Sequence, residues 1–195
     1  MKNRLCSQSV LKKPQWSSVR ALYKGMGYDD FDLDARPMIG VFNTYNSGNP
    51  GHYSLKQLAE AAAWGILQAG GTPVETGLIG PCDGMGCGNI GMKYILPSRE
   101  LIADSVESIA VLQHFDGIIL LGSCDKVIPG LLMAAARLDI PAILVNAGPS
   151  LGGMMFAGRS SDNSSMPEAL AMLQDKKITQ EMYDELENRS NPTCG

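Results

Sequence analysis

The stretch Asp116-Gly117-Ile118-Ile119-Leu120-Leu121-Gly122 constrains this chain more than any other. Its apolar residues are consecutive rather than alternating, so an extended segment here must be covered on both faces, as in the interior of a parallel sheet. Helices are therefore expected before and after it, and both have sequence signals. Ser98 to Gln113 carries Leu101, Ile102, Val106, Ile109, Ala110 and Leu112 at helical spacing, and Pro129 to Leu138 reads as a second helix.

The same strand, loop and helix order occurs elsewhere. Pro37 to Phe42 is a short apolar run that ends in the turn-forming cluster 43–51. Ser54 then precedes Leu55, Leu58, Ala59, Ala62, Ala63, Ile66 and Leu67, closed by Gly70-Gly71. Val74 to Ile79 predicts a strand, Pro81 to Gly91 a glycine-rich loop, and Ile140 to Asn146 a fourth strand. Strands alternating with helices imply right-handed crossovers and an α/β fold: a three-layer helix-sheet-helix sandwich with a mainly parallel, Rossmann-like sheet. In such sheets ligands bind beyond the carboxyl ends of the strands, so the loops at 43–52, 81–92 and 122–129 should converge on one site. Residues 1–35 read as a polar arm with at most a short helix, and 36–195 as the α/β domain. Within that domain, a long loop is expected over 148–165 and two short charged helices over 167–189.

Charge and composition narrow the function. A net charge of −4 with scattered Lys and Arg offers no face for a phosphate backbone, so nucleic acid is not an expected partner. No apolar run reaches the roughly 20 residues that span a bilayer, and the start is not a signal peptide, which makes a cytoplasmic location the expectation. The five cysteines are spread singly through the chain, which suits reduced thiols and metal ligation better than a disulfide framework.

Cys124-Asp125-Lys126 follows the buried strand directly. A thiolate suits iron, a carboxylate suits a hard cation such as Mg²⁺, and a lysine beside that cation is open to chemical modification. The bland alternative is a half-buried cysteine beside a surface ion pair. Cys82-Asp83 sits in the glycine-rich loop at the same sheet edge, followed by Cys87; either thiol could instead be a small apolar filler. His52 is a candidate for substrate positioning or acid–base work and equally for capping the next helix, while His114 reads as structural. Ser98 is a natural helix cap, and Arg99 is either a carboxylate binder or a solvated cation. Neither glycine-rich loop has the context of a nucleotide cradle.

Three strings, CDGMGCGNIGMKYILPSREL, DGIILLGSCDKVIPGLLMAAARLDIPAI and the terminal NPTCG, resemble the family of dihydroxy-acid and phosphogluconate dehydratases, in order and from about Arg36 onward. The resemblance implies a hydro-lyase that converts a 2,3-dihydroxy acid to a 2-keto acid with an iron–sulfur cluster and Mg²⁺. It implies Cys124 and Cys194 as cluster ligands, Asp83 and Asp125 as Mg²⁺ ligands, and Lys126 as a catalytic lysine that is carbamylated to become a further Mg²⁺ ligand.

The sequence also departs from the family pattern. Two-iron members carry a Pro-Cys-Asn turn after the first strand, whereas this chain reads Pro50-Gly51-His52, which favours a 4Fe-4S over a 2Fe-2S cluster and makes Cys82 the substitute ligand. Cys87 and Asn89 stand where members of the valine and isoleucine pathway often have Met and His, and Leu120-Leu121-Gly122 leans toward the sugar-acid side. The branched-chain dihydroxy acid is the favoured substrate, with a sugar-acid or phosphogluconate dehydratase or a non-catalytic metal-binding remnant as alternatives. Family members are about three times as long and add a barrel-like carboxyl-terminal domain. The resemblance therefore implies a truncated or split chain that self-associates or docks with that missing half.

Overall fold

A computed structural model of the protein describes residues 5–192. It divides into two compact units, one up to Ala147 and one from Gly148.

The first unit is built on a four-stranded parallel sheet. Its strands are β1 (Met38–Asn43), β2 (Thr72–Gly77), β3 (Gly117–Gly122) and β4 (Ala142–Asn146), in spatial order β2-β1-β3-β4. Among the described residues three α-helices lead into it, α1 (Cys6–Leu11), α2 (Ser17–Gly25) and α3 (Asp30–Asp34), with a 3₁₀ turn (Pro14–Trp16) between the first two. The crossovers hold α4 (Leu55–Gln68), the short α5 (Asp83–Gly86), α6 (Met92–Gln113) and α7 (Val127–Leu138). The chain leaves β1 toward one edge and β3 toward the other. The loops after these two neighbouring strands thus part at the sheet's carboxyl end and leave a crevice between them.

Side chains alternate across the strands and sort into two cores. Met38, Phe42, Ile118 and Leu120 point to one face and pack with Ile102, Val106, Val127 and Leu131 of α6 and α7. Val41 and Leu121 point to the other and pack with Leu55, Ala59 and Ile66 of α4. Each large apolar side chain fully buried in this way contributes about 1.5–3 kcal/mol. Gly40 lies on the first face, where a β-carbon would stand 2.5 Å from the Phe115 ring, and its bareness lets Phe115 meet Phe42 edge-on at 6.0 Å.

The amino-terminal segment is more ordered than its polar composition suggests. Leu11, Tyr23 and Leu33 are buried in the α6/α7 core. The Asp116 carboxylate fastens α1 to the sheet by accepting from the Ser7 amide at 3.0 Å, the Ser7 hydroxyl at 2.6 Å and the Met38 amide at 2.8 Å. A single buried apolar residue on each of these three-turn or shorter helices leaves too weak a period to read from sequence. Tyr23 and Tyr28 meet edge-on at 5.5 Å, and burial pushes both phenols above their ordinary range. The unfolded chain therefore ionises first, so this contribution to stability is intact below about pH 10 and fades as pH rises through the folded-state values. Alkaline unfolding followed by circular dichroism should show that loss, and Tyr23→Phe should make it shallower.

α6 begins at Met92, six residues before Ser98, and carries Pro97 inside. Ser98 is therefore not a cap; it is buried within the helix and its hydroxyl donates to the Ile95 carbonyl at 2.6 Å. The second unit holds a small antiparallel pair, β5 (Met155–Phe156) and β6 (Arg159–Ser160), then α8 (Ser165–Gln174) and α9 (Gln180–Arg189) around Ala169, Ile178 and Leu186. The pair replaces part of the loop expected over 148–165. Its two turn residues, Ala157 and Gly158, both have positive φ, and an Ala-Gly turn lacks the Asn-Gly signature that would have announced a hairpin.

Candidate metal centre at the carboxyl edge of the sheet

Three asparagines organise the loop after β1. Asn43 accepts from the Tyr45 amide at 2.9 Å and donates to Glu75 at 2.8 Å. Asn46 accepts from the Gly48 amide at 2.9 Å and donates to the Gly80 carbonyl at 2.9 Å. Asn49, only 1% exposed, accepts from the Gly51 amide at 2.9 Å and donates to the Gly80 carbonyl at 3.1 Å. Each side chain thus closes its own turn and reaches a neighbouring segment, β2 for Asn43 and the loop after β2 for Asn46 and Asn49. In the sequence these residues read only as turn formers; their spacing of three is the available sign that one set of side chains faces inward.

His52 completes the framework. The ring is fully buried, with Nδ1 2.7 Å from the Thr44 carbonyl oxygen and 2.9 Å from its hydroxyl, and Nε2 3.0 Å from the Ser123 carbonyl oxygen. It ties the loop after β1 to the loop after β3 and, with both nitrogens engaged, serves as a strut. Gly80 passes directly over this ring; a β-carbon there would overlap the Thr44 carbonyl and lie 2.5 Å from His52 Nδ1.

Cys124 stands at the centre. Its φ of 68° is left-handed, a conformation that costs a non-glycine residue about 1–2 kcal/mol, and such strain persists only where the surroundings impose it. The Cys124 carbonyl accepts from the Ile128 amide at 3.3 Å, so the strained turn runs into the first turn of α7. From the glycine-rich loop, Cys82 and Asp83 approach at the start of α5. One ligand atom from each of Cys82, Asp83 and Cys124 lies within 4.8 Å of the others. Burial raises the Cys82 thiol above its ordinary range, the Met85 amide opposes the rise and the adjacent Cys124 adds to it. A metal ion must therefore displace a proton from Cys82 when it binds.

The other expected site residues divide. Asp125, its side chain 73% exposed, lies outside the converging group and sits 3.9 Å from the Lys126 amine, which is half-buried at the N-cap of α7. Cys194 lies outside the described residues. Cys87 is exposed and outside the converging group. Arg99 pairs with its neighbour Glu100 at 2.7 Å, and His114 packs edge-on against Trp16 at 6.4 Å, a structural role. Asn89 is spent on its own loop, accepting from the Gly91 amide at 2.8 Å and donating to the Met85 carbonyl at 2.9 Å.

Two thiols and a carboxylate on glycine-rich backbone fit a group held through sulfur, with an oxygen donor beside it for a harder cation. Among the described residues no helix is long and apolar enough to cross a membrane.

Comparison with known proteins shows the family. The chain is 52% identical over 176 residues to the dihydroxy-acid dehydratase of Pyrococcus furiosus, covering 90% of this chain and 32% of that protein. It is 49% identical over 189 residues to the dihydroxy-acid dehydratase of Caldanaerobacter subterraneus, covering 97% and 34%. With that of Clostridium pasteurianum the identity is 46%, covering 97% of this chain and 65% of the relative. The chain thus spans about a third of the length of the first two relatives. Residues 36–195 match the family profile described as dihydroxy-acid/6-phosphogluconate dehydratase N-terminal, and with that match over most of its length the chain belongs to this dehydratase family.

Proposed function

We propose that the chain supplies the cluster-holding part of a hydro-lyase that converts a 2,3-dihydroxy acid to a 2-keto acid, with the branched-chain dihydroxy acid as substrate. The observation that carries this reading is the convergence of Cys82, Asp83 and Cys124 on one point within 4.8 Å, at the crevice where the fold places ligands. Cys124 and Cys82 would hold the iron–sulfur cluster, read as 4Fe-4S, with Cys194 as a further ligand. Asp83, Asp125 and a carbamylated Lys126 would hold Mg²⁺. When bound, such metals supply Lewis acidity toward a departing hydroxyl and toward the carboxylate and hydroxyl beside it.

The protein's own groups do the positioning. His52 and the asparagines keep the loops after β1, β2 and β3 in register, so that the two thiols meet without a conformational search. The left-handed Cys124 turn holds its sulfur ahead of the first turn of α7, and Lys126 stands at that helix start beside Asp125. Reduced, metal-ready thiols suit a cytoplasmic enzyme. Exposed apolar side chains on α4, among them Trp64, and Ile143 on β4 support an assembly with further chain or a second copy.

Leu120-Leu121-Gly122, together with Cys87 and Asn89, favours a second reading in which the substrate is a sugar acid. Turnover of 2,3-dihydroxyisovalerate against gluconate-type acids separates the two. The test of the site itself is anaerobic reconstitution with iron and sulfide. The wild type should bind iron, and Cys124→Ala should lose at least about tenfold in affinity, a difference of about 1.4 kcal/mol. Equal iron in the two proteins would sink the assignment.

A further inference from the structure

Asn49 does more than close its turn. Beyond its bonds to Gly51 and Gly80, its amide nitrogen Nδ2 lies 3.6 Å from Cys124 Sγ, within hydrogen-bonding reach of sulfur, while its Oδ1 lies 3.8 Å from the same atom. An amide nitrogen carries two hydrogens. The Gly80 carbonyl takes one at 3.1 Å, and the sulfur is the remaining partner at hydrogen-bonding distance for the other. Asn49 is 1% exposed, so water does not compete for it.

We propose that Asn49 is a positioning residue for the metal centre, donating an N–H···S hydrogen bond that fixes the orientation of Cys124 Sγ and withdraws electron density from it once it ligates a metal. The proposal rests on the reading that Cys124 is a metal ligand. Its basis is the rule that groups one shell out from a metal set the direction and donor strength of its ligands, and that losing one weakens metal affinity about 10–100-fold. Hydrogen bonds to sulfur are likewise a lever on the potential of iron–sulfur centres. The Asn49 amide acts from a rigid support: its own Oδ1 is held by the Gly51 amide at 2.9 Å, and Gly51 stands against Ser123 and Cys124.

The test uses the full chain, anaerobic and reduced, titrated with Co²⁺ alone and read by its sulfur-to-metal charge-transfer absorption. Asn49→Leu is close in shape and removes both donors without adding a metal ligand. It should bind Co²⁺ about 10–100-fold more weakly and move the charge-transfer band to longer wavelength, because the sulfur becomes a richer donor. Melting curves establish that the variant is folded. Should it not fold, the wild type loaded with spin-active cadmium provides the reading: a scalar coupling should link the Asn49 side-chain amide protons to the metal through Cys124. A folded Asn49→Leu protein with unchanged affinity and band, or a loaded wild type without that coupling, overturns the proposal. A wild type that shows no sulfur-to-cobalt band at all instead overturns the assignment of Cys124 as a ligand, so the two failures are distinguishable.

Discussion

Gly80→Ala is expected to lower the melting temperature of the protein by roughly 6–12 °C, corresponding to a loss of about 3 kcal/mol or more. The added methyl would overlap the Thr44 carbonyl, stand 2.5 Å from His52 Nδ1 and 3.2 Å from its Cε1. None of these atoms can yield cheaply. The carbonyl belongs to the backbone next to β1, and the imidazole is held at both nitrogens between Thr44 and Ser123. Relief would have to come from shifting the loop after β2, which breaks the Asn46 and Asn49 hydrogen bonds to the Gly80 carbonyl, each contributing about 1 kcal/mol net. The matched control is Gly77→Ala at the end of β2, where a β-carbon meets nothing within 4 Å; it should melt close to the wild type. Thermal unfolding by circular dichroism checks both, and a Gly80→Ala protein as stable as Gly77→Ala would mean that the loops are not packed as described. Because the same shift carries Cys82 away from Cys124, the variant should also bind metal poorly at temperatures where it remains folded.

The dependence of the site on Gly80 also shows which parts of the protein were open to reading from sequence. The buried run at 116–122 was unambiguous because continuous apolar sequence has one economical solution in a mixed α/β chain, and β3 occupies Gly117–Gly122. β1, α4 and α7 were legible for the same reason, since each buries a whole face or stripe, whereas β4 was legible from its apolar run although its side chains are only partly covered. From the alternation of strands and helices, and the parallel sheet it implies, it follows that the loops after β1, β2 and β3 share one sheet edge, and they meet there. The start of α6 was not legible, because Pro97 and Ser98 together imitate a helix beginning while Met92 to Leu96 already form its first turns. The amino-terminal helices escaped because their burial depends on partners distant in sequence, Asp116 above all, whose carboxylate is matched to Ser7 across 109 residues. The site divides in the same manner. Cys82, Asp83 and Cys124 were visible as chemistry-bearing types in loops, whereas the left-handed backbone at Cys124, the His52 strut and the third role of Asn49 exist only once three segments are folded against each other.

A relocation of the second thiol tests the centre most severely. Cys82→Ala should reduce iron uptake and Co²⁺ affinity at least about tenfold, since it leaves one sulfur where two now meet. Gly51→Cys should restore it. A β-carbon at position 51 would lie 3.6 Å from Cys124 Sγ and 3.5 Å from Asn49 Oδ1, so a sulfur attached there can enter the same coordination sphere from the loop after β1 instead of the loop after β2. Position 51 is not among the glycines with positive φ, and a side chain is therefore compatible with its backbone. The one tight neighbour, Ser123 Oγ at 3.1 Å, is the end of a side chain that can rotate. Iron, sulfide and charge-transfer measurements on Cys82→Ala, Gly51→Cys and the double variant should then form a cycle in which the double variant binds within a few-fold of the wild type. Gly51→Ser, equal in size and lacking a soft donor, should fail to restore binding in the Cys82→Ala background. A double variant no better than Cys82→Ala alone would mean that the metal is not held between these loops. Rescue by serine as well as by cysteine would mean that volume at position 51, rather than sulfur, is what the site requires.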